Sequence, residues 1–280
     1  MKENKIVLQT PSNAVRVFAG FAAQRLSLNL EDSEEEIHRK RGEFFSELGG
    51  TFMPGTPLMQ ARLGLSAYLP AVIDPGVGSH LPDEVAIIVY VSQEIYNKFR
   101  GTSLSRRMYT RSHHAAFNMG ASSAQFPGNI DEPSNRPTNG VTSWAWYLFD
   151  KDFDWQAGQT RVVMSIPVKR NVNLISETDL ITFHKSNADM LQSMGCDQLI
   201  TLYHPDYIVN WMYTSDGVDA DFDTSVLTPA NYKVFRDLPC ETKHVVSDED
   251  EGIEISGTSA FNFRFSRYLK FFNHKKTDDG

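Results

Sequence analysis

The apolar run Val85-Ala86-Ile87-Ile88-Val89-Tyr90-Val91 constrains this chain more than any other stretch. Seven residues rich in β-branched side chains are too few for a buried helix of ordinary length, and they suit a strand covered on both faces. Ser92 follows as an N-cap, with Glu94 in the first turn, where a carboxylate favours the helix dipole. Ile95, Tyr96 and Phe99 form a short helical stripe that Gly101 ends. A second helix is predicted from residue 103 or 104 to 119, closed by Gly120. On it, Arg106, Arg107, Arg111, His113 and His114 make the most basic cluster of a chain whose formal net charge is −8.

Before this strand, residues 5–8 read as a short strand, and residues 13–30 open as a helix with Val15, Phe18 and Ala22 on one face. Ser33-Glu34-Glu35-Glu36 is a capping box that starts a helix reaching Leu48, stopped by Gly49-Gly50. Between residues 51 and 83 the prolines and glycines (Pro54, Gly55, Pro57, Pro70, Pro75, Gly76, Gly78, Pro82) predict a loop-rich connector, with one short helix at 58–65. After the central strand and its helices, residues 121–140 form a second irregular stretch, long enough to cover a cleft or to reach a neighbouring subunit.

Residues 141–155 are dense in aromatics, and their strand would be apolar on both faces, as in a core or a subunit interface. Residues 161–168 read as another strand, with Pro167 placing its end at a sheet edge. A helix is expected within 179–194, strands at 198–203 and 207–213, and a short helix from Thr228-Pro229 through Tyr232 and Phe235. Residues 260–265 alternate as a half-exposed strand. No internal repeat is visible. The expected class is α+β: a mixed, largely antiparallel central sheet with helices packed on it and long irregular loops. It is read as a single domain over 1–280, with a helical, loop-rich portion at 1–83, a sheet-containing portion at 84–272 and a polar tail at 273–280.

Composition excludes several classes of function. Hydrophobic residues at 41% and charged residues at 22% describe a globular chain rather than a disordered one. No stretch approaches the ~20 apolar residues of a membrane span, so no membrane partner is expected. Two isolated cysteines, Cys196 and Cys240, build neither a disulfide framework nor a zinc site, which points to a reducing, cytoplasmic location (the host's, if the chain is phage- or virus-encoded). Asp216, Asp219, Asp221 and Asp223 lack the ligand order of a calcium loop, and no His-Glu-x-x-His or Gly-x-Ser-x-Gly occurs. Neither a metal nor a cofactor is expected from these residues.

The leading expectation is therefore a non-enzymatic structural or interaction protein. It would self-associate or dock in a larger assembly, such as a phage or viral one. Its binding surface would comprise Arg106, Arg107, Arg111, His113, Trp144 and Trp146, with the basic helix meeting acidic loops of a second copy. As an alternative, Arg100-Gly101, Thr142-Ser143 and Glu249-x-Glu251 occur in an order similar to the arginine–serine–glutamate set of ADP-ribosyltransferases. That resemblance implies NAD, with Arg100 on the pyrophosphate, Ser143 beside the nicotinamide, and Glu249 and Glu251 on the ribose. A second alternative is a nucleic-acid-binding accessory protein that uses the basic helix.

Overall fold

The computed structural model describes residues 10–60, 63–101, 103–152, 159–215, 222–240 and 263–264. Its strands are β1 (Val15–Gly20), β2 (Leu65–Val72), β3 (Glu84–Tyr90), β4 (Ser123–Gln125), β5 (Gly128–Asn129) and β6 (Ser134–Thr138). Further along come β7 (Val141–Tyr147), β8 (Gln159–Pro167), β9 (Gln198–His204), β10 (Tyr207–Thr214), β11 (Tyr232–Cys240) and β12 (Phe263–Arg264). The helices are α1 (Glu34–Phe45), α2 (Met53–Gln60), α3 (Gln93–Phe99), α4 (Ser103–Ala116), α5 (Glu177–Ser186) and α6 (Ala188–Ser193).

The expected α+β class, with antiparallel strands and packed helices, is what the molecule shows. However, the strands divide into two sheets rather than one. The first runs β12-β2-β3-β1-β4, and the second runs β11-β8-β10-β9-β7-β5 with β6 on β7. Every pairing is antiparallel except β5 with β7. Within each sheet the same connectivity recurs. The chain order β1-α1-β2-β3-α4-β4 gives the spatial order β4-β1-β3-β2. Likewise β8-α5-β9-β10-β11 gives β11-β8-β10-β9. This is the split β-α-β arrangement of ferredoxin-like units, made twice, although no repeat is legible in the residues.

Period-2 alternation explains how the layers stack. Val15, Val17 and Ala19 of β1, with Val85, Ile87 and Val89 of β3, turn to one side of the first sheet. There they share a core with Val162, Met164, Ile200, Leu202, Val209 and Trp211 of the second sheet. The opposite side of the first sheet carries Phe18, Tyr68, Ala86, Ile88 and Tyr90, packed with Phe44 of α1, Ala116 of α4 and Phe117 beyond it. The second sheet is covered by Leu180 of α5 and by Leu191 of α6, which joins Val226 and Leu227 of a 3-10 turn, Thr224–Leu227. Four layers result: helices, sheet, sheet, helices.

Several local expectations are corrected. β1 stands where a helix was expected, because both of its faces are buried and the apolar alternation of a half-exposed strand is hidden. β2 lies inside the expected loop and tolerates Pro70 in an almost wholly buried strand. β11 replaces the short helix expected at Tyr232 and Phe235. Pro167 does end β8, but that strand is flanked by β11 and β10 and is no sheet edge. Residues 5–8, most of 260–265, the tail at 273–280, and Asp216, Asp219 and Asp221 lie outside the described residues.

Candidate functional site

On the helix-facing side of the first sheet, one end is polar and aromatic instead of aliphatic. Alternation that sends Val15 and Val17 into the shared core sends Arg16 towards the helices, and the same rule brings Tyr90 there from the end of β3. Tyr96 of α3 stands edge-on to Tyr90 with ring centroids 4.7 Å apart. Phe126, just after β4, packs against Tyr96 at 5.1 Å. Tyr109 and His113 lie one turn apart on α4, their rings 3.7 Å apart. The Tyr90 hydroxyl donates to Gln60 Oε1 at the end of α2.

Arg16 is the centre of this cluster. Its Nη1 donates to the Tyr109 hydroxyl oxygen at 3.2 Å, and its Nη2 to the Ala124 carbonyl at 3.4 Å. Its guanidinium carbon lies 5.1 Å from the Tyr96 ring centre and 6.0 Å from that of Phe126, a cation–π arrangement. Burial pulls the Arg16 pKa down, but Tyr109, Tyr96 and Tyr90 outweigh it and leave the net shift upward, so the group stays charged. Among the described residues no carboxylate lies within ion-pair distance of Arg16.

Instead, further cations gather. Arg136 of β6 donates from Nη1 to the same Ala124 carbonyl. Its pKa is lowered, first by burial and then by the charge of Arg16, with Arg100 also contributing. Charged groups taken from water are normally paired, and a guanidinium cannot shed its proton to escape. Here two guanidiniums share one neutral acceptor, the Ala124 carbonyl oxygen.

His113 adjoins the cleft but does not carry its charge. Its Nδ1 donates to the Tyr109 carbonyl at 2.7 Å, which fixes the neutral tautomer. Its pKa is pushed down to about 3, chiefly by burial and also by Arg16. Further along the same sheet face, Glu84 is fully buried and accepts from the Tyr68 hydroxyl, while its Oε2 has no partner among the described residues. Burial pushes Glu84 up to about 8, against the Tyr68 hydrogen bond, with Asp83 adding to the rise.

The residues singled out from sequence are distributed differently. Arg107 and Arg111 face solvent on α4, whereas His113, on the opposite side of the helix, is 3% exposed and no surface residue. Trp146 is 0% exposed, so it too leaves the expected binding surface, and Trp144 is partly buried against Tyr203. The side chain of Arg106 and both Glu249 and Glu251 lie outside what is described. Arg100 is exposed at the C-cap of α3. Ser143 is buried in β7, where it donates to the Arg136 carbonyl and accepts from Gln125. The strongest convergence, Arg16 with Tyr96, Tyr109 and Arg136, was missed because its members span 120 residues and share no motif. A lone arginine inside an apolar strand, Val15-Arg16-Val17-Phe18, was the one available signal. Among the described residues no group of three or more His, Cys, Asp or Glu side chains is placed to hold a metal ion.

No family model and no curated protein matches the chain. Solved structures similar to it include a proposed monooxygenase from Lactobacillus acidophilus NCFM, at 11% identity and a TM-score of 0.33, covering 74% of this chain and 78% of that one. An anthrone oxidase-like protein is similar at 11% identity and a TM-score of 0.35, covering 77% and 82%. Both descriptions name enzyme-like proteins rather than assembly components. The expectation of a non-enzymatic, self-associating structural protein is corrected by the structure itself, because His113 and Trp146 of its binding surface are buried, and the alternative set is not assembled, Arg100 being exposed and Ser143 buried. What this cleft can do rests on its own residues.

Proposed function

We propose that this chain is a small-molecule-binding, enzyme-like protein whose ligand carries an anionic group seated against Arg16. The observation that carries the reading is a partly buried guanidinium stacked on aromatic rings, with another guanidinium beside it and no carboxylate among the described residues within ion-pair distance. Tyr109 adds a chemical handle. Its oxygen accepts from Arg16, and its own O–H, which has no acceptor among the described residues, can donate to a bound group, as a hydrogen-bond donor or a general acid. Tyr96 and Phe126 supply apolar walls of the kind that small-molecule sites use around a few convergent polar groups.

Among the described residues no helix is long and apolar enough to cross a membrane. Cys196 is a free thiol, buried and pushed up to about 12 chiefly by that burial, in keeping with a reducing, cytoplasmic location. The test is thermal melting of wild-type protein and Arg16→Met over a series of small anions at constant ionic strength. Anions should raise the wild-type melting temperature and leave Arg16→Met unmoved. The ligand-free variant should melt no lower than wild type, because it loses an uncompensated charge. A wild-type protein indifferent to every anion would overturn the reading.

A further inference from the structure

Arg136 reaches the cleft from an unexpected direction. It sits on β6, a short strand within the stretch that looks irregular in the sequence, and β6 is folded back on β7 through a turn at Asn139 and Gly140. Both turn residues have positive φ, 50° and 77°. Two residues with φ > 0 are what a tight hairpin with the native strand twist requires. Ser134 Oγ donates to the Phe126 carbonyl at 2.5 Å, and Ser143 Oγ to the Arg136 carbonyl at 3.3 Å. The backbone under Arg136 is thus tied at both ends to the sheet and to the loop that carries Phe126. This is a placed arginine, unlike the exposed Arg107 and Arg111 of α4.

Resting on the anion-site reading above, we infer that Arg16 and Arg136 form a two-pronged clamp for an organic carboxylate. Both guanidiniums aim at a single neutral acceptor, the Ala124 carbonyl, and Arg16 reaches it only at 3.4 Å. One carbonyl oxygen offers two lone pairs and no charge, so it satisfies neither fork well. A carboxylate offers two oxygens in one plane, which matches two guanidinium forks and adds charge to each hydrogen bond. The O–H of Tyr109, without an acceptor among the described residues, can donate to the same group. A carboxylate also brings a single charge to strip of water at a partly buried site, where a phosphate dianion brings more. Arg136 would then be a binding residue carried by the hairpin, and the hairpin the element that sets which acids fit.

The experiment is titration calorimetry with benzoate and, separately, inorganic phosphate at matched ionic strength. The proteins are wild type, Arg16→Met, Arg136→Gln and the double variant, each checked for folding by circular dichroism and melting temperature. Benzoate binding should weaken about tenfold or more in either single variant. The double variant should lose less than the sum of the two, as groups sharing one ligand do. Phosphate should bind more weakly than benzoate to wild type. Full benzoate affinity in a folded Arg136→Gln, together with loss in Arg16→Met, would overturn the clamp and leave the anion site standing. Preference for phosphate would overturn the carboxylate assignment alone. Failure of every anion on wild type would remove both.

Discussion

The two halves of this molecule share a frame and differ in what fills it. In both, a serine N-cap opens the first crossover helix: Ser33 accepts from the Glu36 amide, and Ser176 from that of Asp179. In both, the inner face of the sheet enters the common core. The difference lies in the second crossover. The first half spends it on α3 and α4, which bring Tyr96, Tyr109 and His113 over Arg16. At the same place the described residues of the second half form the short turn Thr224–Leu227, whose Leu227 is buried and whose carbonyl takes the Asn210 amide at 3.1 Å. Asn210 is also bonded to Thr201 at 2.8 Å, so this amide is used internally. One frame thus carries Arg16 with no carboxylate partner among the described residues in one half and, in the other, Arg161 paired with Asp237. Function resides in what is grafted onto a fold rather than in the fold itself.

Packing gives the largest lever on this contrast. Phe117, beyond the end of α4, meets Phe18, Phe44 and Phe52 with ring centroids 5.1, 6.1 and 5.3 Å apart. Phe117→Ala should cost about 3–5 kcal/mol in urea unfolding and loosen the helices that form the cleft. A cost below ~1 kcal/mol would mean that this layer is not packed as described.

Titration separates the halves next. Among the described residues each half buries one neutral histidine, His113 or His184, both pushed down to about 3 chiefly by burial. Their unfolded pKa is ~6.5, so the unfolded chain binds more protons than the folded one as pH falls below that value. Their stability contribution is present above pH ~6.5 and is lost as pH falls towards 3. Among the described residues, only the first half adds a buried acid of opposite sign. Glu84 is pushed up to about 8, while its unfolded pKa is ~4.3. The folded state therefore holds a proton the unfolded state has lost. That stability is whole at low pH and declines as pH rises from ~4.3 to about 8. Between pH 6.5 and 8 the histidines' contribution no longer changes, and a decline approaching ~1.4 kcal/mol per pH unit should remain. Glu84→Gln should flatten that slope and leave the limb below pH ~4.3 unchanged. A slope that persists in the variant would assign the proton to another group.

A tighter packing test sits at Gly20, at the end of β1. A Cβ built there would stand 2.5 Å from Phe18 and 2.7 Å from Phe117, both ring atoms fixed in the aromatic cluster. Gly20→Ala should cost about 1–3 kcal/mol by overpacking, with no effect on the second half's histidine-linked acid limb. Unchanged stability would show that the rings have room to move.

How much of this was legible in the sequence depends on how local the signal was. β3, α1 and β7 to β10 could be read because each carries its own pattern: a β-branched run, a capping box, paired apolar strands. β1 and β2 could not. Val15, Phe18 and Ala22 sit at helical spacing by coincidence, and Pro54, Pro57 and Pro70 made a buried strand look like a connector. The repeat was invisible because the halves share connectivity and not residues. The cleft was invisible for the same reason: Arg16, Tyr90, Tyr109 and Arg136 meet only when β1, β3, α4 and β6 are assembled. Charge count drew attention to Arg106, Arg107 and Arg111, but at the sites that can be seen, Arg107 and Arg111 are solvated. The arginines with work left to do are those held away from water.

The smallest expected effect tests whether the shared frame is energetically as well as topologically shared. Ser33 and Ser176 cap corresponding helices with side-chain bonds of 3.2 and 3.1 Å. Each cap satisfies one amide that the helix cannot, and each helix begins with acidic residues that suit its dipole. Ser33→Ala and Ser176→Ala should therefore each cost about 1 kcal/mol in urea unfolding. Because the two sites lie in separate helical layers, the double variant should lose the sum. Equal, additive losses would mean that local helix signals act alike in both halves, leaving the second crossover as the element that sets them apart. A loss confined to one cap would instead show that the halves already differ at their first crossover, before any residue of the cleft is reached.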